Sequence, residues 1–130
     1  MTGTDTVAIY HNPACSNSRN TLALIRAAGI APRIIEYLKT PPDHATLREL
    51  LWKMHMPARA LLRQKERQFA ELGLADATLT EDELIDQMIG HPILMNRPIV
   101  VTARGVRLCR PPALVHEILP VPAAAHSGMA

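Results

Sequence analysis

The spacing of apolar residues changes period several times along the chain, and each change marks a new element. Val7-Ala8-Ile9-Tyr10 is too short for a helix and reads as a buried β-strand. A polar turn follows, then Leu22, Ile25 and Ala28 at helical spacing, with Gly29 as the expected stop. Residues 32–38, Pro-Arg-Ile-Ile-Glu-Tyr-Leu, centre β-branched side chains in a second strand. Strand, helix and strand in so short a span form a βαβ unit, so the two strands are expected to run parallel. The first turn then lies at the carboxyl edge of the sheet, where α/β folds place ligands.

From Thr40-Pro41-Pro42 the pattern turns helical. Leu47, Leu50, Leu51 and Met54 fall at i, i+3, i+4 and i+7, a short piece begins at Pro57 and carries Leu61 and Leu62, and Phe69, Leu72 and Leu74 suggest a looser third. Thr80-Glu81-Asp82-Glu83 is a capping box, with Leu79 and Leu84 spaced for a hydrophobic staple. Leu84, Ile85, Met88 and Ile89 make the apolar face of the helix it opens, which Gly90 and Pro92 end. Ile99-Val100-Val101-Thr102, a short Ala103-Arg104-Gly105 connection and Val106-Arg107-Leu108 read as an antiparallel hairpin. Pro111-Pro112 opens a last helix with Leu114, Val115, Ile118 and Leu119 on its apolar face. The expected organisation is one α/β domain over residues 1–119, βαβ then ββα, with a helical insert over 40–91 between the second and third strands. A disordered tail is expected over 120–130.

Composition narrows the class. The chain has 130 residues, 48% of them hydrophobic and 20% charged, enough for one core. No apolar run approaches the ~18 residues of a membrane span, and no leader is evident at the polar start, so a cytoplasmic location is expected. A net charge of +2, without a basic run or aromatic platform, argues against nucleic acid. Eleven of the fourteen basic residues are arginines, whose guanidinium fork suits tetrahedral oxyanions. Cys15 and Cys109 are the only cysteines, too few to staple the fold. No Cys or His sits at a paired ligand interval, and His44, His55, His91, His116 and His126 share no spacing, so no metal site is expected.

The chemistry concentrates in His11-Asn12-Pro13-Ala14-Cys15-Ser16-Asn17-Ser18-Arg19-Asn20-Thr21. A cysteine delivered where a strand ends and a helix begins meets the unpaired N–H groups of the first helical turn, which favour a thiolate and an adjoining oxyanion. Asn17 and Ser18 can cap that turn, while Arg19 and His11 can add positive charge. Such surroundings commonly lower a thiol's pKa from ~8.5 by one unit or more. A Cys-x-x-Cys oxidoreductase is excluded because Ser18 stands where the second thiol is needed. A tyrosine-phosphatase-like loop needs an arginine six residues after the cysteine, where this chain has Thr21. Cys109, inside an apolar strand, reads as an inert buried thiol.

The loop resembles the active loop of the ArsC-type, glutaredoxin-dependent arsenate reductases. The likeness continues through Ala60-Leu61-Leu62-Arg63, His91 to Val101, and Arg107-Leu108-Cys109-Arg110-Pro111, covering roughly residues 7 to 120. Where that family usually has Cys-Gly-Thr-Ser-Arg, this chain has Cys15-Ser16-Asn17-Ser18-Arg19. The resemblance implies a thioredoxin-like fold and a cis-proline loop, here Arg97-Pro98, facing the cysteine. It also implies arsenate as substrate, glutathione as co-substrate and glutaredoxin as partner. By it Cys15 is the nucleophile and Arg63, Arg97 and Arg110 bind the anion, with Arg19 beside them. His11 is either an imidazolium that stabilises the thiolate, as the resemblance implies, or a structural loop residue. Ser18 either hydrogen-bonds the thiolate or caps the helix. Two other classes stay open: a glutathione-dependent thiol reductase, needing Cys15 but not the three arginines, and a redox-sensing regulator of RNA polymerase, whose usual Cys-x-x-Cys switch Ser18 speaks against.

Overall fold

A computed structural model describes residues 6–120; the tail expected over 120–130 lies, from residue 121 on, outside the described residues. The described chain divides into two compact units, residues 6–35 with 97–120, and residues 36–96.

The first unit holds the sheet. Strands β1 (Ala8–His11), β2 (Arg33–Glu36), β3 (Ile99–Thr102) and β4 (Gly105–Leu108) form a mixed sheet in the order β2-β1-β3-β4. The second strand is shorter than its apolar run: only 33–36 keep strand geometry. β1 and β4 both run antiparallel to β3, in register Tyr10↔Ile99↔Leu108. Reversal of the chain occupies only Ala103 and Arg104, because Gly105 already pairs with Thr102. A Cβ at Gly105 would meet Ile118 Cγ2 at 3.3 Å, which favours glycine there.

Helix α1 (Ser16–Ala27) buries Ser18, Thr21, Leu22 and Ile25 and ends at Gly29, which takes the left-handed conformation at φ +82°. Leu22 and Ile25 join Ile9, Val100, Cys109, Val115 and Ile118 in one apolar core. Each such fully buried aliphatic contributes roughly 1.5–3 kcal/mol relative to exposure. The last helix is a 3₁₀ segment, Pro112–Glu117, with Leu114 N–H bonded to the Pro111 carbonyl. Its hydrogen bonds run i→i+3, and Ile118 N–H likewise donates to the Val115 carbonyl. Val115, Ile118 and Leu119 are nonetheless buried as their pattern requires. Thr102 Oγ1 donates to the Ile118 carbonyl at 2.6 Å and pins this segment to β3.

The second unit contains α2 (His44–Lys53), α3 (Ala58–Leu61), α4 (Arg67–Glu71) and α5 (Glu81–Gly90). Asp43 caps α2 by accepting from Thr46 N–H, and the Thr80/Glu83 capping box is present at α5. Leu47, Leu50 and Leu51 of α2 and Leu84, Ile85 and Met88 of α5 are buried. Glu81 accepts the first N–H of α3 at 2.7 Å, and Arg59 donates to the carbonyls of Leu74 and Asp76, so the short helices are tied by their ends.

Candidate active site

Strand register assembles the site. Because Tyr10 pairs Ile99 and Ile99 pairs Leu108, the residues after β1, before β3 and after β4 meet at one sheet edge. These are the Cys15 loop, Arg97-Pro98 and Cys109-Arg110. Cys109 N–H donates to the Pro98 carbonyl at 2.9 Å. The Arg97–Pro98 peptide is cis; so is Arg110–Pro111, which the sequence reading did not single out.

Cys15 itself is the N-cap of α1, in extended conformation, so neither Asn17 nor Ser18 caps the helix. Both lie inside the first turn, two and three residues past the N-cap, where a side chain cannot act as the cap. Their contribution is main-chain. Burial pushes the Cys15 thiol up, but the Ser18 N–H, the hydrogen bond and charge of the Arg97 guanidinium, and the Asn17 N–H together bring its pKa below the ordinary thiol value. No acidic residue in the first turn opposes them. Ser16 is the first helical residue, a right-handed conformation open to any L-residue, so the turn needs no glycine there.

The Ser18 hydroxyl faces the strand end: it accepts from Asn12 N–H at 3.0 Å and is hydrogen-bonded to His11 Nδ1 at 2.6 Å, with all three residues buried. Asn12, to which sequence reasoning assigned no role, closes the turn. Its Oδ1 accepts from Ala14 N–H and its carbonyl from Cys15 N–H, each at 3.0 Å. The signal was present in the Asn-Pro pair, an Asx-turn former.

The arginines differ in placement. Arg97 is buried at the cysteine, and Arg110 donates from its guanidinium to the Arg97 carbonyl at 3.0 Å. Arg19 is exposed and donates to the Pro13 carbonyl at 3.0 Å, bracing the loop. Arg63 belongs to the second unit, where Nε donates to Glu66 at 3.0 Å and the guanidinium forms an ion pair with it. Cys109 is fully buried and its thiol is pushed up to about 12, chiefly by burial. Among the described residues no group of three His, Cys, Asp or Glu could hold a metal, and no helix is long and apolar enough to cross a membrane.

A solitary, thiolate-favouring cysteine at a strand-to-helix turn, on a mixed four-stranded sheet with a cis-proline before β3, places the chain among thioredoxin-like proteins. Residues 10–118 match the model of the ArsC family. The chain is 56% identical over 114 residues to an arsenate reductase of Escherichia coli K12, covering 88% of this chain and 81% of that one. It is 54% identical over 115 residues to an arsenate reductase of Rhizobium meliloti, covering 88% and 82%. An arsenate reductase structure from Vibrio cholerae superposes with a TM-score of 0.86 at 46% identity, covering 89% of this chain and 99% of that one. The chain belongs to the ArsC family.

Proposed function

We propose that the protein reduces arsenate to arsenite through a covalent adduct on Cys15, with electrons from glutathione and glutaredoxin. The observation that carries the reading is the Cys15 thiol, its pKa lowered by the Ser18 N–H and Arg97. Cys15 attacks arsenic(V), an As–O bond breaks, and water leaves with the thiol proton and an arsenate hydroxyl. Arg97, Arg110 and the first-turn N–H groups offset the charge moving onto the oxygens. The family resemblance adds Arg63, whose guanidinium is held by Glu66 in this structure. Ser18 cannot resolve the adduct, and Cys109 holds its proton. Glutathione therefore displaces a second hydroxyl from arsenic as water, the glutaredoxin thiol takes the glutathione sulfur as a mixed disulfide and leaves two electrons on arsenic, and one water then cleaves the Cys15–As bond to release arsenite and the Cys15 thiol. Overall, one arsenate and two thiols give one arsenite, one disulfide and one water, and Cys15 is regenerated. Phosphate matches arsenate in shape and charge, so selection rests on the affinity of sulfur for arsenic.

Arg63→Ala and Arg97→Ala test this. Arsenite formation with glutathione and glutaredoxin should fall at least tenfold in both. If arsenate is not reduced, or both variants retain full activity, the reading fails and a general glutathione-dependent thiol reductase replaces it.

A further inference from the structure

The charge of the chain is unevenly divided. Residues 6–35 and 97–120 carry seven basic residues, all arginines, and a single carboxylate, Glu117, which pairs with Arg107 at 2.6 Å. Residues 36–96 carry ten carboxylates against seven basic residues. A small net charge thus conceals a strongly positive unit around Cys15.

Anion binding accounts for Arg97 and Arg110 but not for the outer face of α1. There Arg19 and Arg26 flank an open groove of about 670 Å³ that His11, Pro13, Leu22 and Ala23 help to line. No carboxylate lines it, and α1 contains no acidic residue. Arg19, Ala23 and Arg26, all exposed, lie four, eight and eleven residues after Cys15 along one side of the helix, so the groove runs away from the reactive turn. We propose that this groove docks the protein thiol donor, received through an acidic margin beside that donor's own thiol. The inference rests on the function proposed above and adds the surface it uses.

Reach favours a protein over free glutathione as occupant. Arg26 lies about 16 Å along the axis from Cys15 at the helical rise of 1.5 Å per residue. Glutathione, three residues long, keeps its carboxylates within roughly 10 Å of its sulfur, so it meets Arg26 only when fully extended toward a guanidinium folded back along the helix. A transient redox encounter burying about 600 Å² on each partner spans a face about 28 Å across, which includes both.

The test uses the full chain carrying glutathione as a mixed disulfide on Cys15, and measures its removal by glutaredoxin. Arg26→Glu is expected to lower kcat/KM for glutaredoxin about tenfold through a raised KM, less so at high salt. Ala23→Glu should act in the same direction, while alkylation of reduced Cys15 by iodoacetamide stays unchanged. Unchanged glutaredoxin kinetics in both variants, or a shift confined to the KM for free glutathione, overturns the docking surface. Because this reaction needs no arsenate, absence of arsenate reduction would refute the functional reading alone.

Discussion

Replacing Arg97 with methionine removes the side-chain charge held against Cys15 while keeping an unbranched chain to fill its buried site. Two of the four influences that lower the Cys15 pKa come from this guanidinium, its hydrogen bond and its charge. The N–H groups of Ser18 and Asn17 stay in place, and so does the Arg110 contact, which reaches the main-chain carbonyl of residue 97. Burial, the largest single influence, then meets only the two N–H groups. An opposite charge at contact distance typically lowers an acid's pKa by about 1–3 units, so the Cys15 midpoint should rise by at least about one unit in Arg97→Met. Below the midpoint each unit is a tenfold loss of thiolate, so alkylation at neutral pH should slow about tenfold or more. The assay is the rate of iodoacetamide alkylation against pH, with Arg110→Met as a comparison expected to move the midpoint less. A profile that does not shift to higher pH in Arg97→Met would show that the guanidinium does not hold the thiolate, and the electrostatic reasoning would be wrong.

Other expectations follow from the same geometry. Ser18→Ala leaves the buried Asn12 N–H without its acceptor and should destabilise the fold by about 1–3 kcal/mol in urea titration. The Cys15 midpoint should move little in that variant, since the Ser18 contribution there is its own N–H; a large shift would give the hydroxyl a direct role. Cys109, held up to about 12, should resist alkylation in the native protein at pH 8, so intact mass should show one adduct, and Cys109→Ala should retain arsenate reduction. His44 titrates above its ordinary value, mainly through its hydrogen bond to Asp86, against desolvation and with help from Asp82. Its contribution to stability is therefore full below the unfolded pKa and lost as pH rises through the folded one. Asp86→Asn should return the His44 midpoint toward 6.5 in an NMR titration, and an unmoved midpoint would discard the pair.

Much of this was legible in the residues. The strands around the core, the capping box at Thr80 and the cysteine at a strand-to-helix turn follow from spacing and cap chemistry, which are local. What was not legible was non-local or backbone-borne. Ser18 was read by its hydroxyl, yet its N–H faces the sulfur while the hydroxyl turns back to Asn12 and His11. The six-residue 3₁₀ segment at Pro112 shares its apolar pattern with an α-helix over so short a span. Arg63 was read as an anion ligand; Glu66, three residues on, was within reach of a local charge-pair reading that was not made, and it holds the guanidinium here. Net charge, summed over the chain, hid the separation between the two units.

Arsenate reduction through a covalent adduct requires Cys15 as the nucleophile. The direct measurement is arsenite formed from arsenate by purified wild type and Cys15→Ser, each with and without glutaredoxin in the presence of glutathione. Arsenite should accumulate only with the wild type and only with glutaredoxin present; arsenite from the Cys15→Ser protein, or none from the wild type, would contradict the account.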